Sequence, residues 1–235
     1  MNAAALNATD LPVLLRGEAR PIRGWIERVS AARLTLCLIV IVIGTALFGA
    51  AVGSWRDPQQ ALYTAIKFPL IILLTTFGTG LLNAMLAPLL GLNLSLRQSL
   101  LAVLLSFTIA AVILGGASPL IWFLIWNTPP LVPGAHTTVG AHSLLLVSQT
   151  AAIAFAGIAA NARLLRLLRE LSGSRAISLR VLLAWLGVNL LLGSQLAWIL
   201  RPFVGSPWLP VEFLRRNAFA GSFYETIFNA LKHLF

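Results

Sequence analysis

The chain has 235 residues, of which 58% are hydrophobic and 10% charged, with a formal net charge of +10 and a mean hydropathy of +0.88. A soluble domain carries about 25% charged residues, so this composition excludes a soluble globule. The positive charge does not read as a nucleic-acid surface: the basic residues gather at the ends of apolar segments, where membrane topology signals sit, and no basic groove interleaved with aromatics is discernible.

Residues 1–12 are polar. From Pro21 to Arg33, Ile22, Trp25, Ile26 and Val29 fall at i, i+3, i+4 and i+7, the spacing of a short amphipathic helix lying in the headgroup plane or of an extension of the helix that follows. Arg16, Arg20, Arg23, Arg28 and Arg33 precede a full-length apolar segment. A secretory signal has a short apolar core, so the first span is expected to be an uncleaved anchor.

Five segments approach or reach the roughly 20 apolar residues that cross a bilayer: Leu34 to Val52, Phe68 to Leu90, Leu100 to Leu114 with its flanks, Leu144 to Ala160, and Val181 to Leu200. Asp57 followed by Pro58 marks a helix start, the Asp as cap and the Pro at the first helical position. The second helix therefore begins well before its apolar core. Pro69 predicts a kink in it, and Lys67 is left either snorkelling to the headgroups or entering the membrane. Gly91 is a plausible C-cap, and Ser95-Leu-Arg-Gln98 reads as a capping box. Pro119 to Trp126 is a helical extension or an interfacial segment. Thr128 to Gly140, with three prolines and no charge, is a surface loop. The fourth span runs on into Arg163, Arg166 and Arg169. After Arg201-Pro202 comes a turn-rich stretch, then an amphipathic helix with Phe219, Phe223, Ile227, Ala230 and Leu231 on one side. The expected fold is all-α: a polytopic membrane bundle of five transmembrane helices (33–201) between an amino-terminal segment (1–32) and a tail with an amphipathic helix (202–235).

With the amino terminus inside, eleven Lys and Arg fall on the inner side and six on the outer. That bias predicts a cytoplasmic amino terminus and an extracytoplasmic carboxy terminus. Fifteen of the 17 basic residues are Arg, which with the Ala and Leu excess points to a bacterial inner membrane.

The sequence holds no HExxH, GxSxG or Walker motif and no paired acids, so no catalytic, cofactor or metal residues are assigned. His136, His142 and His233 are scattered, and Cys37 is a lone cysteine. No Asp or Glu lies mid-span, which argues against a proton-coupled carrier. Asn83, Gln149, Asn161, Asn189 and Gln195 are candidate interhelical polar contacts, with Thr75, Thr76, Ser106, Thr108, Ser148 and Ser194 as further neutral polar groups within the spans. Gly49 and Gly53 form a GxxxG, and Ala152, Ala156 and Ala160 form a small-residue stripe; both suit close helix packing. An unpaired charge at the depth of Lys67 would be expensive, so Glu212 or Glu225 is expected to pair with Lys67 or Arg201 as the tail folds back on the outer face.

The segment Asn93-Leu-Ser-Leu-Arg-Gln-Ser-Leu-Leu-Ala before the third span, together with the five-span layout, resembles Yip1-domain proteins. The resemblance implies a cytosolic amino terminus, five clustered spans and a short carboxy terminus on the far side. The Asp-Leu-Tyr-Gly-Pro motif of eukaryotic members is missing, and the Arg201–Glu225 tail is foreign to that pattern. The tail and Ser54-Trp-Arg-Asp-Pro resemble an uncharacterised bacterial multi-pass family, from which no activity carries over. The expectation is a non-enzymatic scaffold or accessory subunit in contact with the lipid bilayer and with other membrane proteins or itself, without cofactor or nucleic acid. The alternative is permeation of a small solute along neutral polar residues of the second, fourth and fifth spans.

Overall fold

The computed structural model describes residues 10–129, 131, 136–206 and 208–225, and every one of its regular elements is helical. Two short helices, α1 (Asp10–Arg16) and α2 (Ala19–Glu27), precede five long ones: α3 (Ala31–Gly53), α4 (Pro58–Leu89), α5 (Leu96–Trp126), α6 (His136–Ser172) and α7 (Arg175–Leu200). All five are long and apolar enough to cross a membrane. The connections between them are short, so successive helices run antiparallel. The two ends of the bundle are called here the amino-terminal face and the tail face.

The caps set the helix boundaries. Asp57 Oδ1 accepts from the Gln59 amide at 2.7 Å, satisfying one of the orphan donors of α4. Ser95 and Gln98 close a reciprocal capping box at the start of α5. Gly91 ends α4 with φ +94°, a conformation open to Gly without steric cost. At 1.5 Å per residue, the 32 residues of α4 exceed the hydrocarbon thickness of about 30 Å. Pro69 does not interrupt it. α5 continues through Pro119 to Trp126, so that segment is a helical extension.

α5 is the central helix. It packs on α3, α4 and α6 and also touches α1 and α2, and Leu101 through Leu105 are all buried; a helix apolar all round belongs in the interior. α3 meets α4 and α5 at backbone contact distance. A Cβ on Gly49 would lie 2.4 Å from the Thr64 carbonyl oxygen, one on Gly53 2.6 Å from that of Gln60, and one on Gly44 2.3 Å from that of Ala111. The GxxxG of α3 thus has its partner in the same chain.

The amino-terminal amphipathic helix is shorter than expected. It ends at Glu27, separate from α3, and buries Ile22 and Ile26 against the bundle instead of lying free in a headgroup plane. Its anchors are polar: Arg163 Nε donates to Leu15 O at 2.7 Å, and Arg23 reaches the Glu170 carbonyl. At the other end, only Phe219 and Phe223 of the expected amphipathic tail helix fall among the described residues. Residues 211–222 form turns, with helix only at 223–225; Ile227, Ala230 and Leu231 lie outside the described residues.

Candidate functional site

Four helices form a ring. α4 packs on α5 and α7, and α6 packs on the same two, whereas α4 and α6 have no substantial contact. The diagonal gap is a cavity of about 630 Å³, within the range of small-molecule sites. Each helix lines it with one face. Phe68, Ile71, Ile72 and Thr75 of α4 stand at i, i+3, i+4 and i+7; Leu186, Asn189, Leu190, Gly193 and Ala197 of α7 repeat the pattern; α6 contributes Gln149, Ile153, Ala156, Gly157 and Ala160, and α5 contributes Val103, Ser106, Phe107 and Ala110. Small residues make the space: Ala156, Gly157 and Ala160 on α6 face Gly193 on α7. The Ala stripe therefore lines a void as well as packing a helix.

The cavity opens sideways. Ile158 and Leu190 line it, yet they are 72% and 60% exposed, and α6 and α7 are the least buried of the five long helices. An exposed apolar surface on a membrane helix faces hydrocarbon, so the cavity reaches the lipid side at Ile158 of α6 and Leu190 of α7.

The wall is mostly apolar, with a few neutral polar groups. Asn189 Oδ1 accepts from Thr79 Oγ1 and from Asn83 Nδ2, the latter at 3.1 Å, joining α7 to α4. Trp185 Nε1 adds a second link to the Asn83 carbonyl at 2.7 Å. Asn161 turns back to Gly157 O within its own helix, and Gln195 accepts from the Phe223 amide in the tail. Of the five candidate polar contacts, Asn83 and Asn189 thus bridge helices, while Asn161 and Gln195 do not. Gln149 is different. Its side chain lines the cavity at 8% exposure, and its Oε1 has no hydrogen-bond partner; Thr75 Oγ1, at 3%, is likewise unpartnered. A buried polar atom without a partner costs about 1–3 kcal/mol, and both of these atoms are closed off behind the cavity wall.

The tail closes the end of the ring. Leaving α7 at Arg201, the chain carries carbonyl groups that no helix satisfies, and α4 supplies the donors. Gln60 Nε2 donates to Pro202 O and Phe203 O, both at 3.0 Å; Thr64 Oγ1 donates to Phe203 O at 2.9 Å; Lys67 Nζ donates to Pro202 O at 3.1 Å. Gln60, Thr64 and Lys67 stand at i, i+4 and i+7 and are fully buried. Non-helical backbone at membrane depth requires such partners. His142 Nε2 lies 3.0 Å from Gly205 O, and Arg56 donates to Leu209 O, fixing the tail across α6 and the α3–α4 turn. Phe203 drops into the cavity rim and packs on Phe68, with 5.3 Å between ring centroids.

The expected charge pairing is therefore corrected. Among the described residues no ion pair joins Lys67 or Arg201 to Glu212 or Glu225; the ion pairs all involve Arg16 or Arg23 at the amino-terminal face. The Lys67 ammonium takes a neutral carbonyl and the face of Phe213, 5.3 Å away. It is covered by the tail and does not snorkel. Arg201 stacks on Trp198, with its guanidinium carbon 3.5 Å from the ring centroid, and donates to the Trp198 carbonyl. Partial burial, and then the charge of nearby Arg215, holds the Arg201 guanidinium below its usual pKa. Arg215 also stands within electrostatic reach of Lys67.

The neutral polar residues of the second, fourth and fifth spans expected to line a path do line the cavity, as Thr75, Gln149, Asn161, Asn189 and Ser194; its mostly apolar wall and the tail anchors were not expected. The row Gln60, Thr64, Lys67 on one helix face was the available signal for the anchors. Among the described residues, no group of three or more His, Cys, Asp or Glu is placed to hold a metal; the His136 side chain and His233 lie outside them. Comparison with protein-family models, curated proteins and solved structures gives no match for this chain.

Proposed function

We propose that this chain is a non-enzymatic integral membrane protein, an accessory or scaffold subunit, that holds an apolar guest in the groove between α4, α5, α6 and α7. The observation that carries this reading is the lateral mouth at Ile158 and Leu190 on a mostly apolar cavity. A guest that partitions into hydrocarbon reaches such a site from the bilayer without crossing water. The Arg bias supports a cytoplasmic amino terminus in a bacterial inner membrane, which puts the tail on the outer side.

Permeation of a small solute is the second reading, because Thr75, Gln149, Asn161, Asn189 and Ser194 of α4, α6 and α7 all face the cavity. Phe68 and Phe203 close its tail end, and apolar side chains separate the polar ones; both features favour holding over passage.

The test is lipid retention. After extraction in mild detergent, wild-type protein should keep bound lipid that Gly157→Phe releases. Gly157 lines the groove, and a Cβ there meets no atom within 4 Å, so the phenyl ring enters open space. Equal lipid content in the two proteins would refute the reading.

A further inference from the structure

After crossing the bundle, the tail returns to the helix it left. From Arg201 it passes His142 of α6 and Arg56 of the α3–α4 turn, and it comes back alongside α7 between Leu190 and Gln195. There the Phe223 amide donates to Gln195 Oε1 at 3.2 Å, and the Tyr224 hydroxyl donates to Leu191 O at 2.6 Å and lies against Ser194 Oγ. Leu190 and Ser194 line the cavity, and Leu190 is one of the two residues at which it meets lipid. The described part of the tail therefore ends at the rim of the groove. It ends as the first turn of a helix: residues 223–225 are helical, and Ser222 Oγ accepts from the Glu225 amide at 3.1 Å, the bond of an N-cap. In the sequence that follows, Ile227, Ala230, Leu231 and Leu234 continue from Phe223 at helical spacing, with Thr226, Asn229, Lys232 and His233 on the other side. Ten helical residues extend about 15 Å, more than the 8–10 Å between the axes of packed helices.

We infer that residues 226–235 are the lid of the groove, continuing the helix begun at Phe223 and laying Ile227, Ala230, Leu231 and Leu234 over the opening at Leu190 and Ile158. The inference rests on the guest-holding reading above and adds its regulation: a lipid enters or leaves when the segment lifts. The position of its root selects this occupant. Tyr224 and Phe223 are fastened to the strip of α7 that borders the cavity, and a short tether of this kind gives an effective concentration in the millimolar range. An apolar helix face needs an apolar partner, and the groove rim is the apolar protein surface next to that root. The polar side of the segment then faces away from the groove, where Lys232 can reach the headgroups.

Two measurements on the full chain in bilayers test the lid. First, Leu190→Cys and Ile227→Cys are introduced together in a Cys37→Ala background and oxidised. A disulfide within one chain is expected, and none when Leu47→Cys on the exposed side of α3 takes the place of Leu190→Cys; Tyr224→Phe, which removes the bond to Leu191 O, should lower the yield. Second, a chain ending at Glu225 should exchange bound fluorescent phosphatidylcholine with vesicles of phosphatidylcholine severalfold faster than the full chain. Cross-linking no better than the Leu47→Cys control, cross-links formed only between two chains, or equal exchange rates would each overturn the lid. If Gly157→Phe still releases lipid in those cases, the guest-holding reading stands. Lipid binding indifferent to Gly157→Phe would overturn that reading and the lid's role with it.

Discussion

Gly49→Ala separates the packing account from simple helix propensity, because the two give opposite signs. Propensity alone favours Ala over Gly in a helix interior by about 0.8–1.0 kcal/mol. At this position the new Cβ would lie 2.4 Å from Thr64 O and 2.8 Å from its carbonyl carbon, against the 3.4 Å at which ordinary contact begins. The obstacle is helix backbone, which cannot rotate away, so α3 and α4 must separate by about 1 Å, forfeiting dispersion contacts along the interface. In a bilayer those contacts are the main force between helices, since lipid tails are as apolar as the side chains. Overpacking of this kind costs about 1–3 kcal/mol, more than propensity returns. Gly116→Ala and Gly187→Ala are the controls, because a Cβ at either meets nothing within 4 Å; both should be neutral or slightly stabilising. Reversible unfolding in mixed micelles reads the difference. A Gly49→Ala protein as stable as the controls would refute the close approach of α3 and α4.

Three further outcomes are expected. Gln60→Leu removes the donor shared by Pro202 O and Phe203 O, which keep Lys67 and Thr64 as partners; the loss of two hydrogen bonds at about 0.5–1.5 kcal/mol each should make the tail more cleavable by added protease while α3 to α7 stay intact. A double-mutant cycle on Asn83→Leu and Asn189→Leu should give a coupling near 0.6 kcal/mol, the average for interhelical hydrogen bonds in a membrane, whereas Asn161→Leu should show no coupling to either. Ser95→Ala opens the capping box of α5 and should lower stability by about 1 kcal/mol, with Ser95→Asp restoring it.

The elements governed by local chemistry were legible in the residues. Asp57-Pro58 marked the start of α4 and Ser95 with Gln98 that of α5, because a cap is written within four residues. The five apolar runs declared their helices, since only a helix satisfies its own backbone in hydrocarbon. What depends on the meeting of distant segments was not legible. Lys67 was expected to find a carboxylate because a buried charge needs compensation. The compensation comes instead from a backbone carbonyl and an aromatic face, which composition does not reveal. Pro69 stands inside α4, which runs on through it to Leu89, and its neighbourhood is held by Thr64 and Lys67 against the tail. The polar positions of the second, fourth and fifth spans suggested a shared path, but its apolar wall was not legible because Gly193 and the Ala stripe read equally well as packing or as space. Only the absence of substantial contact between α4 and α6 decides between them.

The central claim is that the groove faces hydrocarbon and not water. A spin label placed by Gly157→Cys in a Cys37→Ala background, with the protein in bilayers, tests this by collision with apolar oxygen and with a water-soluble nickel chelate. The account predicts frequent collisions with oxygen and almost none with nickel. Nickel collisions at the level of an exposed loop would mean a water-filled path and would contradict it.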